Sequence, residues 1–438
     1  MLETLREEHP AGAAPPEAPP RPYREQVEVL RRIFERQGSL GVLLVDLSHL
    51  ARVEQDYGPR AFTTVHAAAT GLVLGLRGSV IRHEDIVATT DAGGDALLVF
   101  LSPRRHGSQL RAADLQAAAT RVEEVLNRTL ASLSARYLRD PGRVDVGFAI
   151  AFSNPMVMAE RLMARLVDEA WQCARLKSQQ RDFEDRCTLQ DVLLEDQLTT
   201  VFQPVVGLSG SGILGYEALT RGPEGTALRN PRRLFELAAR CDLVFELDRS
   251  CRRRALLSAK DLPPGAMLFL NVLPSAVYDP EFQGDGLLRL LRESGLSPSR
   301  IVLEITEREA IENYGLFAEA LHSFTEMGFS IAVDDIGAGY SGLEKIAKLN
   351  PRFLKFDMEL VKNIDTSYIR REMGRALCGF AQKMDSTIIA EGIESENERR
   401  SLIELGIAYG QGYLLGRPGQ LVPTPVARPS EAGGEHGA

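Results

Sequence analysis

The sequence predicts an α/β protein with two folded units, an N-terminal α/β sheet domain followed by a (β/α)8 barrel. Three observations support this prediction. The 438 residues suffice for two or three domains. Strand-like and helix-like stretches alternate through the N-terminal part. From about residue 189 to residue 418, seven apolar runs each end on a polar residue, mostly at the spacing of one strand–helix repeat.

Composition excludes several functional classes. The chain has 51 Lys+Arg against 60 Asp+Glu, a net charge of −9 without a basic block, which argues against binding of nucleic acid polymers. No apolar run reaches the roughly 18–20 residues of a membrane span, and the first residues lack the pattern of a secretory signal. The five cysteines are widely spaced and form no zinc-binding pattern, as expected for thiols in a reducing cytoplasm.

The two ends of the chain differ from its middle in amino-acid composition. Residues 1–22 are rich in proline and 421–438 in Pro, Gly and Ala, so we expect a disordered lead and a disordered tail. Residues 23–37 form a predicted helix with one apolar face, made by Val27, Leu30, Ile33 and Phe34. Such a helix either packs on its own domain, the favoured interpretation, or joins two chains.

The first folded unit is predicted over residues 38–180. GVLLVDL reads as a strand, and IVATTD and ALLVFL read as a hairpin around the Gly-rich AGGD. A long helix near 112–138, the strand VDVGFAIAF and the helix AERLMARLVDEAWQCARLK follow. Strands that alternate with helices in this way indicate a compact α/β sheet.

The second unit is predicted over residues 186–420. One polar residue closes each of its seven apolar runs: Glu217, Asn271, Glu304, Asp334, Lys355, Glu391 and Gln411. Successive gaps are 54, 33, 30, 21, 36 and 20 residues, and most fit one strand–helix repeat. Functional groups of such barrels lie where the strands end at the C-terminal face, so these seven side chains should converge on one mouth.

The converging groups form an all-oxygen ligand set once Asp335, next to Asp334, is included. Such a set suits Mg²⁺ or Mn²⁺, because clustered carboxylates without a cation repel one another. Consecutive acids of an extended strand point to opposite sides, but both can face the mouth where the chain turns at the strand end. Two ions would suit in-line hydrolysis of a phosphodiester, with Lys355 orienting the water or neutralising a phosphate oxygen. Helix caps or surface charges are the alternative interpretation for each acid taken singly.

At these positions the chain resembles the EAL-domain family of cyclic-di-GMP phosphodiesterases. The name motif stands as Glu217-Ala218-Leu219, extends to EALTR, and has FQPV upstream. LFLNV, LEITE, VDDIGAGYSGL, LKFD, AEGIE and QGYLLGRP follow in the family's order. The resemblance implies hydrolysis of one phosphodiester bond of cyclic-di-GMP to linear pGpG by a barrel that holds two Mg²⁺ or Mn²⁺ ions.

The resemblance also implies residue roles. The implied metal ligands are Glu217, Asn271, Glu304, Asp334, Asp335 and Glu391. Lys355 would position the attacking water, and either Asp335 or Glu391 would accept its proton. The residues implied to hold the dinucleotide are Gln203, Leu219, Arg221 and Gln411. Glu307 would anchor the loop after Asp335, to which Gly337 and Gly339 give conformational freedom; Ile336 and Gly342 replace the family's usual Phe and Ser.

The first unit resembles the GGDEF domain of diguanylate cyclases, with losses. Gly93, Gly94 and Asp95 remain, but Ala96 and Leu97 replace the Glu and Phe of the motif. Upstream, Asp46 is retained, whereas Ser48 replaces the second Asp and Glu54 the guanine-reading Asn. The RxxD inhibition pattern is also missing from VATTD. We therefore expect a catalytically silent domain, which either senses GTP or, the favoured alternative, contacts a second copy or a partner protein.

The leading hypothesis is an active cyclic-di-GMP phosphodiesterase with a degenerate cyclase-like regulator, in bacterial second-messenger signalling. Its ligand set is whole, whereas the first unit has lost several residues. The rival is a non-enzymatic receptor for cyclic-di-GMP or another protein, and Ala96 argues against a bifunctional enzyme. The resemblance further implies a homodimer through the loop-side face of the barrel.

Overall fold

The computed structural model describes residues 19–90, 95–101, 110–134, 143–210, 212–308, 314–337 and 343–421. The chain divides into two compact units, with the boundary between Glu184 and Asp185. The predicted lead and tail lie outside the described residues, apart from 19–22 and 421. None of the described helices is both long and apolar enough to cross a membrane.

The N-terminal unit is built on a four-stranded antiparallel sheet in the order β2-β3-β1-β4. Its strands are β1 (Ser39–Asp46), β2 (Ile86–Thr89), β3 (Ala96–Leu101) and β4 (Asp145–Phe152). Its helices are α1 (Val27–Gln37), α2 (Ala51–Tyr57), α3 (Pro59–Gly75), α4 (Ala112–Ser134) and most of α5 (Ala159–Leu194). The expected strands and the hairpin of β2 and β3 are confirmed, while its Gly93-Gly94 turn lies outside the described residues.

Both faces of this sheet are covered, which explains why β1 is an uninterrupted apolar run. Leu43 and Val45 pack in one cluster with apolar residues of α3 and α4. Val42 and Leu44 point the other way and pack in a second cluster with α1 and α5. The N-terminal helix therefore packs on its own unit through Leu30 and Phe34.

The second unit is a closed barrel of eight strands in the order β10-β11-β12-β5-β6-β7-β8-β9. The strands are β5 (Thr199–Gly207), β6 (Ile213–Arg221), β7 (Met267–Asn271), β8 (Ile301–Thr306), β9 (Ser330–Ile336), β10 (Phe353–Phe356), β11 (Thr387–Ala390) and β12 (Tyr409–Gly410). The helices are α6 (Pro231–Cys241), α7 (Val244–Ser258), α8 (Gly284–Ser294), α9 (Tyr314–Glu326), α10 (Leu343–Leu349), α11 (Met358–Val361), α12 (Tyr368–Lys383) and α13 (Glu396–Glu404). The predicted barrel is confirmed.

One strand departs from the all-parallel pattern of a (β/α)8 barrel. Strand β5, the first of the barrel in chain order, runs antiparallel to both of its neighbours, β6 and β12. Only five residues separate β5 from β6, too few for a crossover to a parallel partner, and Gly210 and Gly212 both have φ of +88° there. At the other end of the unit, Phe202 exchanges two backbone hydrogen bonds with Gly419, of 2.7 and 3.0 Å.

Apolar side chains fill the barrel interior below its mouth. Phe269 and Phe353 meet edge to face at 5.4 Å between ring centroids. Val205, Val302 and Ile389 complete the same buried cluster. Alternate residues such as Leu268 and Leu270 point outward into the larger core beneath the helices. The barrel is therefore a packed core, and its polar groups gather where the strands end.

Candidate active site

Strand ends position the polar residues that the sequence singled out. Asn271 closes β7 and stands in register with Glu304 of β8. Glu217 of β6 stands in register with Gln203 of β5. Asp334 and Lys355 belong to β9 and β10, while Glu391 and Gln411 directly follow β11 and β12. Because the barrel is closed, groups spread over more than 200 residues of sequence face one mouth.

Lys355 lies at the centre of the mouth and is completely buried. Its Nζ lies 2.7 Å from Glu391 Oε1, 2.9 Å from Glu304 Oε1, 3.2 Å from Asp334 Oδ2 and 3.7 Å from Glu217 Oε2. Burial alone would lower the pKa of Lys355, but these carboxylates outweigh it and hold the pKa well above its usual value. One ammonium thus faces four acids, so the site carries an excess of negative charge.

Three amide side chains fix the orientation of Glu217. Asn271 Nδ2 donates to Oε1 of Glu217 at 3.1 Å, and Gln411 Nε2 donates to its Oε2 at 2.6 Å. Gln411 Nε2 also donates to Gln203 Oε1 at 2.9 Å, and Gln203 Nε2 donates to the carbonyl of Gly416 at 3.0 Å. Both carboxylate oxygens of Glu217 are therefore held by hydrogen bonds within the mouth.

The two consecutive acids at the end of β9 are turned toward the same region. Asp335 adopts a φ of +58°, a left-handed conformation that Asp tolerates better than most residues. Oxygen atoms of Asp334, Asp335 and Glu391 lie within 4.8 Å of one another, the geometry of a candidate metal site. As predicted, the chain turns at the strand end and brings both acids together.

Crowding raises the pKa of several of these carboxyl groups. Burial and then the charge of Asp334 raise the pKa of Asp335 to about 6. Burial raises the pKa of Glu391 to about 8 despite the ammonium of Lys355. Burial also raises the pKa of Glu304 well above its usual value. In each case burial and the neighbouring carboxylates disfavour the ionised form more than the Lys355 ammonium favours it.

The donor set fits a divalent cation. It consists of carboxylate and amide oxygens, the ligands preferred by Mg²⁺ and Mn²⁺. Glu304 is 1% exposed, and its Oε2 accepts no hydrogen bond from any residue that the structure describes. A buried carboxylate oxygen with no donor is costly in a protein alone and favourable beside a cation.

The loop after β9 is anchored from the neighbouring strand end. Glu307 is 2% exposed, and its Oε2 accepts a hydrogen bond from the backbone N–H of Gly337 at 3.2 Å. Gly337 has φ of +103°, and a Cβ there would lie 2.1 Å from Leu360 Cδ1. Ile336 is buried at the end of β9. Gly339 and Gly342 lie outside the described residues.

A cavity of about 250 Å³ opens beside the metal-type cluster. Leu219, Arg221, Asn271 and Glu304 are among its lining residues. Burial, followed by the charge of Arg229, lowers the pKa of the Arg221 guanidinium. The lining thus combines an apolar wall with the guanidinium of Arg221 and with the carboxylates of Asp248 and Glu304.

The same cavity is lined by a buried ion network that the sequence analysis missed. Arg252 Nε donates to Asp248 Oδ2 at 2.8 Å, and another of its nitrogens donates to Asp279 Oδ2 at 2.9 Å. The guanidinium also stacks over Phe282, 4.4 Å from the ring centroid. The i, i+4 spacing of Asp248 and Arg252 was the available signal, but the sequence did not show that this face of α7 is buried.

The corresponding acids of the N-terminal unit are already satisfied. Asp46 closes β1, and its Oδ1 accepts a hydrogen bond from the N–H of Ser48 at 2.9 Å. Ser48 and Glu54 are exposed, and Ala96 is buried in β3. Among the residues described in this unit, no three acids come together in the manner of the barrel mouth.

Comparison with known proteins assigns the barrel unit. The family model described as EAL domain matches residues 186–418, and the match does not extend to the N-terminal unit. The cyclic di-GMP phosphodiesterase NbdA of Pseudomonas aeruginosa is 25% identical over 409 residues, 90% of this chain and 50% of that protein. The cyclic di-GMP phosphodiesterase RocR of the same species is 30% identical over 221 residues, 50% of this chain and 56% of that protein.

A third relative, the cyclic di-GMP phosphodiesterase PdeF of Escherichia coli, is 26% identical over 253 residues, 56% of this chain and 34% of that protein. The matched part of the chain thus spans between 34% and 56% of the length of these relatives. The crystal structure of the Xanthomonas citri FimX EAL domain in complex with c-diGMP has a TM-score of 0.51 at 22% identity, covering 56% of this chain and 97% of that one, which supports the fold. With the family model covering more than half of its length, the chain belongs to the EAL-domain family.

Proposed function

We propose that this chain hydrolyses cyclic-di-GMP to linear pGpG at the barrel mouth, and that its N-terminal unit is a catalytically silent, GGDEF-like regulator. The observation that carries the proposal is the environment of Lys355, one buried ammonium within 3.7 Å of four carboxylates of the barrel mouth. The names of the relatives are consistent with this activity. EAL phosphodiesterases generally use divalent metals, and this mouth offers suitable ligands.

Two Mg²⁺ or Mn²⁺ ions would be held by the carboxylate and amide oxygens of the mouth. The proposed ligands are Glu217, Asn271, Glu304, Asp334, Asp335 and Glu391. Bound there, such ions would stabilise both the attacking and the leaving oxygen of an in-line displacement at phosphorus. The hydrogen bonds from Asn271 and Gln411 keep Glu217 in one orientation, which reduces the reorganisation needed for binding.

Lys355 would orient the attacking water and stabilise negative charge on a phosphate oxygen. The proton of the water would pass to Asp335 or Glu391, and the geometry favours Asp335. Glu391 Oε1 is engaged by Lys355 at 2.7 Å, whereas the Asp335 side chain is exposed at the mouth. Water would add across one P–O3′ bond, leaving a 5′-phosphate and a free 3′-hydroxyl in pGpG.

Substrate contacts are proposed for Arg221 and Leu219, which line the neighbouring cavity. Arg221 presents a forked guanidinium suited to a phosphate, and Leu219 contributes an apolar wall for a base. Gln203 and Gln411 are proposed to contact the dinucleotide. Gln411 also donates a hydrogen bond to Glu217 and another to Gln203. Glu307 would anchor the start of the loop after β9 by accepting the N–H of Gly337.

The silent character of the N-terminal unit is proposed from its lost acids. The Asp46 carboxylate is occupied by the N–H of Ser48, and Ala96 offers no ligand where the GGDEF motif has Glu. Titration of the chain with GTP tests the first alternative, a GTP-sensing unit, against the second, a unit that contacts a second copy or a partner protein. None of the five cysteines forms a disulfide, which agrees with the proposed cytoplasmic location.

The decisive experiment incubates purified full-length chain with cyclic-di-GMP and Mg²⁺ or Mn²⁺ and follows pGpG by chromatography. We expect turnover that EDTA abolishes and that Glu217→Ala reduces by at least about 100-fold. Isothermal titration calorimetry with cyclic-di-GMP in the same buffers distinguishes the enzyme from the alternative, a non-enzymatic receptor. Tight binding without turnover in either metal would identify a receptor and reject the enzyme.

A parallel incubation with GTP tests the N-terminal unit. We expect no cyclic-di-GMP, and any product that disappears in Asp46→Ala would contradict a silent domain. GTP titrated into the hydrolysis assay then shows whether this unit regulates the barrel.

A further inference from the structure

One buried side chain of the barrel unit has no part in the proposed reaction and yet reaches both ends of the loop after β7. This loop, residues 272–282, follows directly on Asn271 and contains two short 3₁₀ turns, Pro274–Tyr278 and Pro280–Phe282. We call it the β7 loop. The side chain is that of Arg252 on α7, which is only 2% exposed. A guanidinium buried so completely needs charged or polar partners around it.

The first partner of Arg252 holds the start of the β7 loop. Arg252 Nε donates to Asp248 Oδ2 at 2.8 Å. The Asp248 carboxylate in turn accepts a hydrogen bond from the backbone N–H of Leu273. A single residue separates Leu273 from Asn271, and each residue has only two freely rotating backbone angles. The position of Leu273 therefore limits how the chain can turn at the end of β7.

The second partner of Arg252 holds the far end of the same loop. Arg252 Nη2 donates to Asp279 Oδ2 at 2.9 Å, and Asp279 is 0% exposed. Asp279 also caps the next turn, because its Oδ1 accepts the N–H of Glu281 at 3.0 Å. The guanidinium of Arg252 lies over Phe282, 4.4 Å from the ring centroid. One planar, forked group thus joins the beginning of the β7 loop to its end.

The charges of this network are balanced, in contrast with those of the barrel mouth. Arg249 supplies a second guanidinium, whose Nη2 lies 2.9 Å from Asp279 Oδ1. Two guanidiniums therefore face two carboxylates, those of Asp248 and Asp279. Compared with apolar side chains of similar volume, such a buried network adds little to stability, but its hydrogen bonds require one particular geometry. We therefore look for its role in the orientation of the loop.

We infer that Arg252 is a positioning residue for the metal site: through the β7 loop it holds Asn271 where its side-chain oxygen can bind a divalent cation. The inference rests on the proposed function, which makes Asn271 a metal ligand. Asn271 Nδ2 donates to Glu217 Oε1 at 3.1 Å, so the amide nitrogen serves as a donor and the amide oxygen is the group suited to a cation. Glu217 orients the side chain of Asn271, and Arg252 restrains the backbone that follows it.

The first test measures binding of Mn²⁺ alone to the full-length chain by isothermal titration calorimetry, which needs neither substrate nor turnover. Arg252→Met should raise the dissociation constant for Mn²⁺ about tenfold, as expected when a group that orients a metal ligand is lost. Arg300→Met is the matched control. Arg300 donates to the carbonyls of Ala266 and Pro263 at 3.1 and 2.7 Å, just before β7 and therefore at the opposite end of the strand. It should lower the melting temperature but change the dissociation constant less than about twofold.

A conservative variant keeps the test decisive if Arg252→Met does not fold. Arg252→Lys retains a positive charge between the two carboxylates, but an ammonium lacks the fixed fork that bridges them. The dissociation constant for Mn²⁺ should still rise at least about threefold. Hydrogen–deuterium exchange with mass spectrometry then examines the loop directly. Peptides from residues 272–282 should exchange faster in Arg252→Lys and at the unchanged rate in Arg300→Met.

A double-mutant cycle tests whether Arg252 acts through Asn271. Asn271→Ala alone should weaken Mn²⁺ binding about tenfold, and the other proposed ligands keep the binding measurable. Adding Arg252→Lys to Asn271→Ala should change the dissociation constant less than about twofold, because the ligand that Arg252 positions is already gone. Equal effects of Arg252→Lys with and without Asn271 would overturn the inference.

Other outcomes separate this inference from the proposed reaction. If Arg252→Lys binds Mn²⁺ as tightly as Arg300→Met does, the network has only a structural role and the inference is wrong. A chain that shows the expected cycle but releases no pGpG would support the role of Arg252 while rejecting the proposed hydrolysis. A wild-type chain that binds no Mn²⁺ would overturn both.

Discussion

The barrel mouth and the end of strand β1 differ in the partners that they offer to acidic side chains. At the mouth, four carboxylates share one ammonium, that of Lys355. At the end of β1, Asp46 stands in register with Asp145, but Asp46 accepts the N–H of Ser48 and Asp145 pairs with Arg181. Each of these two acids in the sheet unit thus has a donor of its own, whereas the acids of the barrel mouth share one ammonium.

The topology of the two sheets explains the difference. Seven parallel strands of the barrel end at one rim, so each strand can add a polar group to the same site. In the antiparallel N-terminal sheet, the end of β1 meets the beginnings of β3 and β4. Such an edge brings fewer strand ends together, so fewer acidic side chains can converge on one site there than at the barrel mouth.

The largest effect is expected when the cations that pair with the acids of the two regions, Lys355 and Arg181, are removed in turn. Lys355→Met should reduce hydrolysis at least about 100-fold, because it removes the group that orients the water. It should also lower the free energy of unfolding by about 3 kcal/mol without metal, since the carboxylates lose their partner. Rates of pGpG release and denaturant melts measure both effects.

Arg181→Met is the matched control in the sheet unit, where it strips Asp145 of its partner. It should destabilise the protein but change hydrolysis per folded molecule by less than about threefold, a small fraction of the barrier change that a catalytic group contributes. Equal losses of activity in both variants would contradict the contrast between the two regions.

An intermediate effect is expected from the loop that Glu307 anchors. Gly337→Ala should slow hydrolysis about tenfold, because φ is +103° and the new Cβ would meet Leu360 at 2.1 Å. Gly379→Ala in the middle of α12 is the control, since a Cβ there meets nothing within 4 Å. That change should instead stabilise the protein by about 0.5–1 kcal/mol. A fully active Gly337→Ala would remove this loop from the mechanism.

The excess of acid also predicts a pH dependence specific to the barrel. The pKa values of Asp335 and Glu391 rise to about 6 and about 8 on folding, so between about pH 4 and those values the folded state binds more protons than the unfolded state. Without metal, the free energy of unfolding should therefore fall as the pH rises through these windows.

Melting temperatures in EDTA and in Mn²⁺ from pH 5 to pH 8.5 measure this effect. Stabilisation by Mn²⁺ should grow with pH because ligand protons no longer compete with the metal. Asp335→Asn/Glu391→Gln should flatten the EDTA curve. A melting temperature that rises with pH in EDTA would have the wrong sign.

The smallest effect is expected at Asp46. Asp46→Ala removes the hydrogen bond from the N–H of Ser48, so the free energy of unfolding should fall by about 1 kcal/mol. Hydrolysis of cyclic-di-GMP should stay within about twofold, well below the contribution of a residue that acts on the reaction. A chromatographic assay of the purified variant checks this, and a large loss of activity would place Asp46 in communication with the barrel.

Much of the barrel mouth could be predicted from the sequence, because each apolar run ends on the residue that faces the site. Glu217, Glu304 and Lys355 are examples, and the structure brings them together. Strand β5 was missed because TTVFQPVVG is not among the seven apolar runs that end on a polar residue, although the five residues before β6 would have indicated its antiparallel direction. The left-handed turn at Asp335 was anticipated only as a general possibility of strand ends.

Other features depended on tertiary packing. The last helix of the first unit was predicted as AERLMARLVDEAWQCARLK, but it continues as α5 to Leu194. The Asp248–Arg252–Asp279 network was missed because its burial depends on how α7 rotates against the barrel. Charged residues buried in this way follow the geometry of their neighbours and leave little trace in hydropathy.

The backbone pairing of Phe202 with Gly419 has a mechanical consequence. The same C-terminal segment bonds to Gln203 through the Gly416 carbonyl, and Gln203 is linked through Gln411 to Glu217. A pulling force applied to this segment would act on these hydrogen bonds before it acts on the apolar interior of the barrel. A force on the C-terminal segment is therefore transmitted to the mouth. In a single-molecule pulling experiment, a tether attached to this segment would disturb Glu217 while the strands remain folded.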